Sequence, residues 1–430
     1  MKQSKEGCEL SRSSARWFFI APSIMFFWIF GQMDKLGISV IVTNHSFLRT
    51  MGIINRPAEV GFLLTGFTVV YSISSLVWGP IVDKIGPRKT AIIAVTIWGL
   101  TMILGGISSS YGMFMTSRML LGIGEGAMFP ASSKYVANWF PKKEYGRAQS
   151  TWIVGDYIGP AIGIPLIVAI MISNGWRASF WLLAAFSLVI SLPMFIFMTR
   201  DDPSKHFAAN EAERDYVRRG HEQTSNDNAN RANVFQDYRY WMIFVVMLFD
   251  SALFWGLSFW LPTYLEKVRH FSPALMSSWT SSAWLMALAA VLLMAVLGDK
   301  TNRPAVLGTI AFLVAAVSLF IVTRTADGSM AAFMLDISIA CVGAILEICQ
   351  MAMVRYAVPA TTGAAAGLIG FTNIVGGFIA PFIGYLVAIS GSFNSSIIFL
   401  MGVALAGVVA FLVIVPSERR AKARAAVSAS

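Results

Sequence analysis

Long apolar runs dominate this sequence, and the first of them starts at Trp17 and continues to about residue 43. A helix of about 20 apolar residues crosses a hydrocarbon core roughly 30 Å thick, and about twelve stretches of the chain reach that length. A soluble chain carries about 25% charged residues, whereas this one carries 13% charged and 56% hydrophobic residues. The runs lack the alternation of a lipid-facing barrel strand, so we predict an all-α integral membrane protein with twelve transmembrane helices. The predicted spans are residues 17–43, 59–82, 90–108, 112–138, 146–173, 177–198, 239–265, 274–297, 304–323, 330–354, 363–389 and 392–415.

The net charge of +10 would suit a nucleic-acid partner if it formed one basic surface. Lys and Arg instead crowd into alternate loops: before the first predicted span, after the second, fourth and eighth, between the sixth and seventh, and after the last. The opposite loops hold far fewer. Because basic loops stay in the cytoplasm, we predict a plasma-membrane protein with both termini cytoplasmic and no nucleic-acid partner.

One long polar segment separates the first six predicted spans from the last six. The pieces "GPIVDKIGPRK" after the second span and "LGDKTNRP" after the eighth share Gly, Asp-Lys and Pro at equivalent places. Duplicated six-helix halves are typical of secondary transporters, so we predict two pseudo-symmetric halves. The predicted division is 1–16 for a cytoplasmic N-terminal tail, 17–198 for the N-terminal half, 199–238 for a cytoplasmic connector, 239–415 for the C-terminal half and 416–430 for a cytoplasmic C-terminal tail.

The connector divides into two kinds of sequence. The piece "NEAERDYVRRG" has a helix-favouring composition of mixed charge, and "TSNDNANRAN" is typical of a flexible linker. We expect the connector to link the two halves without contributing functional residues.

The segment "GPIVDKIGPRK", residues 79–89, resembles the signature loop of the major facilitator superfamily, and we call it the signature loop. The matching residues are Gly79, Asp83, Lys84, Gly86, Arg88 and Lys89. A proline stands at position 87, where the family commonly has a basic residue. The resemblance implies that the charges of this loop latch the cytoplasmic ends of the two halves in one state.

A second motif, "RMLLGIGEGAMFP" from Arg118 to Pro130, resembles the anion:cation symporter branch of that superfamily. The branch includes sugar-acid importers and carries an Asp-Arg pair late in its first helix, where this chain has Asp34 and Lys35. The resemblance implies that basic residues bind an organic anion and that acids carry the coupling proton.

The charged residues inside the predicted spans indicate a transport path, since a buried charge costs at least about 2.5 kcal/mol. Glu125 lies about 20 Å from the outer end of its span, too deep to reach the interface. Arg118 is seven residues before it and therefore lies on the same helix face. Asp34 and Lys35 diverge by about 100° and must find partners on different neighbours.

We predict that Lys35, Tyr71, Arg118 and Asp156 bind the substrate and that Asp34 and Glu125 carry protons. The cations suit an anion, and carboxyl groups in a low-dielectric interior can hold a proton. The role of Tyr71 follows from the resemblance, and packing is its alternative. Asp156 stands where sugar-acid importers tend to have an amide, which favours a monoanion, a zwitterion or a substrate with an amine. A static ion network is the alternative for both acids.

The predicted function is import of a small organic anion, most simply a carboxylate, with protons, by a monomer without a cofactor. Export by proton antiport is the alternative, because the fifth span nearly reproduces an antiporter pattern in Gly146, Gly155, Gly159, Pro160 and Gly163. No phosphate-binding loop of the G-x-x-x-x-G-K-[ST] type and no H-E-x-x-H motif occurs, which disfavours ATP-driven transport and a metalloenzyme. A channel or a sensor that does not transport stays open.

Overall fold

The computed structural model describes residues 14–222, 238–301, 303–356 and 362–429. Only the backbone is described at 142, 221–222, 238–240, 299, 350–351, 353–356, 362–371 and 416–429. The helices are α1 (Arg16–Ile41), α2 (His45–Met51), α3 (Pro57–Ile85), α4 (Pro87–Ile107), α5 (Tyr111–Glu125), α6 (Met128–Trp139), α7 (Tyr145–Asn174), α8 (Trp176–Phe197), α9 (Glu211–Glu222), α10 (Tyr238–Lys267), α11 (Pro273–Thr301), α12 (Pro304–Arg324), α13 (Gly328–Tyr356), α14 (Thr362–Ser390) and α15 (Phe393–Ala429).

The prediction of an all-helical membrane protein is confirmed. Within the described residues, eleven helices are long and apolar enough to cross a membrane. The remaining predicted span, the fourth at 112–138, is present as two shorter helices, α5 and α6, which are separated by Gly126 and Ala127. Each predicted span therefore corresponds to one helix or, in that one case, to a pair of consecutive helices.

The break in the fourth span follows from close packing at two glycines. A Cβ atom at Gly124 would lie 2.5 Å from Trp98 Cδ1, and one at Gly126 would overlap the hydroxyl of Ser74. Ser74 also donates a hydrogen bond to the carbonyl of Gly122 at 2.8 Å. Glycine is a poor helix former, and here it allows neighbouring helices to approach the break closely. Glu125, the last residue of α5, is therefore held at a helix end inside the protein.

The described residues fall into two compact units. The first lies within Met1–Lys35, Val70–Pro160 and Ser173–Asn230, and the second within Leu36–Val69, Ala161–Ile172 and Arg231–Ser430. The unit boundaries fall inside α1, α3 and α7 as well as in the connector. The division into a half at 17–198 and a half at 239–415 stays a prediction.

The first part of the connector is packed against the first unit. Residues 211–222 form α9, as their composition predicts, whereas the predicted linker 224–233 lies outside the described residues. Glu213 on α9 is fully buried and accepts hydrogen bonds from the backbone N–H groups of Ala15 and Arg16 at 2.9 and 3.2 Å. Its Oε1 also pairs with Arg16 Nη1 at 2.8 Å, and Arg16 Nε pairs with Glu144 at 3.1 Å. The connector therefore anchors the start of α1 as well as linking the two sets of spans.

Both predicted tails are only partly described. Residues 1–13 of the N-terminal tail lie outside the described residues. In the C-terminal tail, α15 continues beyond its apolar part to Ala429.

Replacing Glu213 with alanine should destabilise the first unit. Removing one partner of a buried ion pair costs up to about 3 to 5 kcal/mol. In this variant Arg16 keeps Glu144 but loses its fully buried partner, and the backbone N–H groups of Ala15 and Arg16 lose their acceptor. We expect a marked fall in the thermal unfolding temperature of the detergent-purified protein for Glu213→Ala. Glu211→Ala removes an exposed acid from the same helix and serves as the control. Equal unfolding temperatures for the two variants would contradict this role of the ion pair.

Candidate functional site

The predicted site residues of the first span meet partners from three other helices of the first unit. Lys35 is 4% exposed and Glu125 is 0% exposed. Lys35 Nζ lies 3.7 Å from Glu125 Oε2, which is an ion-pair distance and too long for a hydrogen bond. The same ammonium lies 4.6 Å from the centre of the Tyr71 ring, close enough for a cation–π contact. Lys35 is therefore the centre of a cluster that includes Glu125 and Tyr71.

A half-buried carboxylate completes the surroundings of Lys35. Asp156 on α7 interacts electrostatically with Lys35 and with Tyr71. Gln32, one turn before Lys35 on α1, donates a hydrogen bond from Nε2 to Asp156 Oδ1. The amide of Gln32 thus positions the carboxylate on the face of α1 that also carries Lys35.

Asp34 and Arg118 form the other side of the arrangement. Arg118 is 1% exposed, and its Nη1 and Nη2 atoms donate hydrogen bonds to the backbone carbonyls of Asp34 and Lys35 at 3.3 and 3.4 Å. Asp34 is also buried, and its Oδ2 atom accepts no hydrogen bond from the described residues. Arg118 and Glu125 both act electrostatically on the Asp34 carboxyl group. Arg118 therefore stabilises the backbone of α1 at Asp34 and Lys35.

The first unit thus combines two buried cations with three acids. Lys35 and Arg118 face Asp34, Glu125 and Asp156 within one connected set of contacts. Burying an uncompensated charge is costly, so each of the two buried cations needs a nearby acid. In the second unit, Asp250 on α10 is 4% exposed, and its Oδ1 atom accepts no hydrogen bond from the described residues.

The signature loop connects α3 to α4, and its residues differ in what surrounds them. Asp83 pairs with Lys134 of α6 at 2.7 Å, and Gly86 has φ +84°, which a side chain would strain. Arg88 bonds to the end of α8. Lys84 is exposed, and a Cβ atom at Gly79 would meet nothing within 4 Å. Packing thus explains the glycine at position 86 and not the one at position 79.

Sequence reasoning did not identify Gln32. A polar residue three positions before Lys35 within an apolar run was the available signal, since that spacing places both on one helix face. Lys134 gave no such signal, because a lysine near the end of a span is ordinarily a topology signal.

Comparison with known proteins shows similarity to membrane transporters. The model of the Major Facilitator Superfamily matches residues 18–358. A probable sulfoacetate transporter of Cupriavidus necator is 28% identical over 89% of this chain and 89% of its own. A probable L-galactonate transporter of Escherichia coli is 23% identical over 91% of this chain and 88% of its own. A probable galactarate/D-glucarate transporter of the same organism is 24% identical over 98% of this chain and 97% of its own.

Solved structures share the fold at lower identity. A bacterial homolog of the human lysosomal transporter Spinster, in an inward-facing unoccupied conformation, has a TM-score of 0.73 at 16% identity, covering 94% of this chain and 96% of that one. A D-xylose–proton symporter has a TM-score of 0.69 at 18% identity, covering 91% of this chain and 96% of that one. With its all-helical fold and a family match that spans most of its length, the chain belongs to the major facilitator superfamily and is a membrane transporter, not an enzyme.

Proposed function

We propose that this transporter imports a small organic acid, recognised by its carboxylate, together with protons. The single observation that carries the proposal is the Lys35–Glu125 pair, a buried cation compensated by a carboxyl group that can be neutralised. The curated relatives named above are probable transporters of sulfoacetate and of sugar acids, all of which are carboxylates. Their names support the substrate class without selecting one acid.

The coupling follows from the charge balance around Lys35. The ammonium needs an anionic partner in a low-dielectric site, and the partner can be ionised Glu125 or the substrate carboxylate. When Glu125 takes up a proton, Lys35 is released for the substrate. When the substrate leaves, Glu125 must lose its proton to compensate Lys35 again. Proton and anion therefore travel together, and we assign Asp34 to the same proton-carrying step through its electrostatic interaction with Glu125.

The remaining site residues select and orient the substrate in this proposal. Tyr71 and Asp156 border the ammonium, so a hydroxyl or amine of the substrate can bond to them while its carboxylate occupies Lys35. Arg118 already donates hydrogen bonds to two backbone carbonyls and would have to give them up to hold an anion. We therefore assign Lys35 as the main binding residue for the substrate carboxylate and Arg118 as a secondary one. Three acids around two cations favour a monoanion or a substrate with an amine.

We further propose that the carrier is monomeric, lies in the plasma membrane with both termini cytoplasmic, and uses the signature loop, including Gly79, Asp83, Lys84, Gly86 and Arg88, as its gate. The distribution of Lys and Arg among the loops supports the orientation. Two six-helix halves that alternate access to one site would complete the mechanism.

The glycines of α7, which suggested antiport, have another role in the fold. A Cβ atom at Gly155 would lie 2.5 Å from the carbonyl oxygen of Met25, and one at Gly159 would lie 2.6 Å from that of Ile29. Close packing of α7 on α1 therefore accounts for both glycines, whichever direction transport takes. Proton antiport is kept as an outcome of the experiment below.

The proposal is tested first by ligand stabilisation and then by direction of transport. Purified protein is heated with sulfoacetate, L-galactonate, galactarate or D-glucarate, because a ligand at one hundred times its dissociation constant adds about 2.7 kcal/mol of stability. Proteoliposomes with a pH gradient then take up the stabilising acid. A symporter accumulates it on the side opposite the high proton concentration. Accumulation on the acidic side would replace import by antiport, and no stabilisation by any of the four acids would reject sulfoacetate and these sugar acids as substrates.

A further inference from the structure

Within the signature loop, α3 ends at Ile85 and α4 begins at Pro87, and the start of α4 has no cap of its own. Gly86 occupies the N-cap position and has no side chain to accept a hydrogen bond from the first turn. Pro87, the first helical residue, has no N–H group, so Arg88 carries the first backbone donor of the helix. That donor needs an acceptor from elsewhere in the chain.

Asp201 at the start of the connector supplies the acceptor from 113 residues further along the chain. Its Oδ1 atom accepts a hydrogen bond from the backbone N–H of Arg88 at 2.7 Å. A carboxylate at a helix N-terminus is also stabilised by the helix dipole. A Cβ atom at Gly86 would lie 2.6 Å from Asp201 Oδ2. The carboxylate thus lies directly against the loop and replaces the missing local cap.

The side chain of Arg88 makes the reciprocal contact with the end of α8. Its Nη2 and Nε atoms donate hydrogen bonds to the carbonyls of Ile196 and Phe195 at 2.6 and 3.3 Å. These carbonyls belong to the last turn of α8, where helical partners are lacking. The backbone and side chain of one residue therefore join the start of α4 to the chain that follows α8.

Helix α6 holds both the segment that carries Asp201 and the loop. The three contacts to residues 199–201 are Asn138 Nδ2 donating to the Asp201 carbonyl at 2.9 Å, Trp139 Nε1 donating to the Arg200 carbonyl at 2.8 Å, and a hydroxyl pair between Tyr135 and Thr199 at 2.8 Å. The same helix provides Lys134, which pairs with Asp83. Asp201 is therefore fixed in place before it meets the loop, as a positioning group must be.

We propose that Asp201 is a positioning residue for transport, whose carboxylate sets the conformation of the signature loop by capping α4 from the connector. Asp201 does not contact the cluster around Lys35, so it acts on the conformational step and not on recognition of the anion. Its neighbour Asp202 has a local role, accepting a hydrogen bond from the backbone N–H of Ser204. The two adjacent acids therefore provide a matched pair of positions.

The first test needs no substrate. Val82, in the last turn of α3, is 2% exposed. The full-length Val82→Cys protein is placed in nanodiscs and treated with N-ethylmaleimide, and mass spectrometry follows modification of the peptide that contains position 82. Because this position is buried, the modification should be slow. Adding Asp201→Ala should raise the modification rate about tenfold, because loss of a helix cap shifts the local equilibrium by about that factor. Asp201→Asn keeps an acceptor and should stay within about threefold, and Asp202→Ala should match the parent.

The second test separates positioning from a general structural role. In proteoliposomes with sulfoacetate as the probe, Asp201→Ala should lower the maximal uptake rate about tenfold and change the half-saturating concentration less than about twofold. Asp201→Asn should restore most of the rate. If the parent protein does not take up sulfoacetate, that acid is not its substrate and the labelling experiment alone decides.

Three results would overturn the assignment. One is an unchanged labelling rate in Asp201→Ala. Another is an equal increase in Asp202→Ala. The third is a raised half-saturating concentration with an unchanged maximal rate. If Asp201→Ala does not fold, Asp201→Asn decides: because asparagine keeps the capping acceptor, a labelling rate well above threefold that of the parent would overturn the assignment.

Discussion

Glu125→Gln is expected to abolish uptake of the substrate acid driven by a pH gradient while leaving its binding measurable. Glutamine is close in size to glutamate but permanently neutral, so it resembles the protonated acid and leaves Lys35 free for the anion. The empty carrier then lacks the acid that pairs with Lys35, and we expect its return without substrate to be blocked. Proteoliposomes should still exchange labelled for unlabelled substrate, because exchange does not require the empty carrier to return.

The control for this variant is Glu59→Gln, which neutralises an exposed acid of α3 that pairs with Arg56. It should accumulate substrate like the parent protein. Normal gradient-driven accumulation in Glu125→Gln would show that this acid is a structural partner of Lys35 and carries no proton.

Lys35→Met should eliminate uptake and also destabilise the protein. The substitution leaves Glu125 buried without its cation, and breaking a buried pair in this way costs about 3 to 5 kcal/mol. The double variant Lys35→Met/Glu125→Gln removes both charges and should recover most of the lost stability. It should not recover uptake, because no ammonium remains for the carboxylate.

Thermal unfolding and uptake of the three variants form a double-mutant cycle. Recovery of stability without recovery of uptake separates the structural role of the ion pair from its role in binding. Uptake by the double variant at the parent rate would remove Lys35 from the substrate site and leave Arg118 as the cation to test.

The fold could be predicted because its main determinant is local. A run of about 20 apolar residues has few alternatives to a membrane helix, and the predicted spans agree closely with the helices, as with 304–323 and Pro304–Arg324. The break between α5 and α6 was not predicted. It depends on Trp98 and Ser74 packing against glycines of another helix, and an average hydropathy carries no information about those contacts.

The residues of the site could be predicted from the sequence, but their contacts with one another could be predicted only in part. A charged residue deep in an apolar run stands out, which identified Asp34, Lys35 and Glu125. Which acid meets Lys35 depends on how α1 is rotated against α5, and helical periodicity within one helix does not determine that rotation. The bonds from Arg118 to backbone carbonyls were likewise beyond sequence reasoning, since a carbonyl has no residue type to recognise.

The ion pair between Arg16 and Glu213 has a consequence for how the protein is made. Arg16 leaves the ribosome 197 residues before its partner, and at about 5 to 20 residues per second the partner follows about 10 to 40 s later. Its other partner, Glu144, follows 128 residues after Arg16, and until then Arg16 is an uncompensated cation at the start of the first helix, where a positive charge influences which way the helix inserts. When Glu213 arrives, the same guanidinium becomes the buried partner of two carboxylates. One side chain therefore acts first as an orientation signal for the translocon and afterwards as a packing element, and the order of synthesis keeps the two roles apart in time.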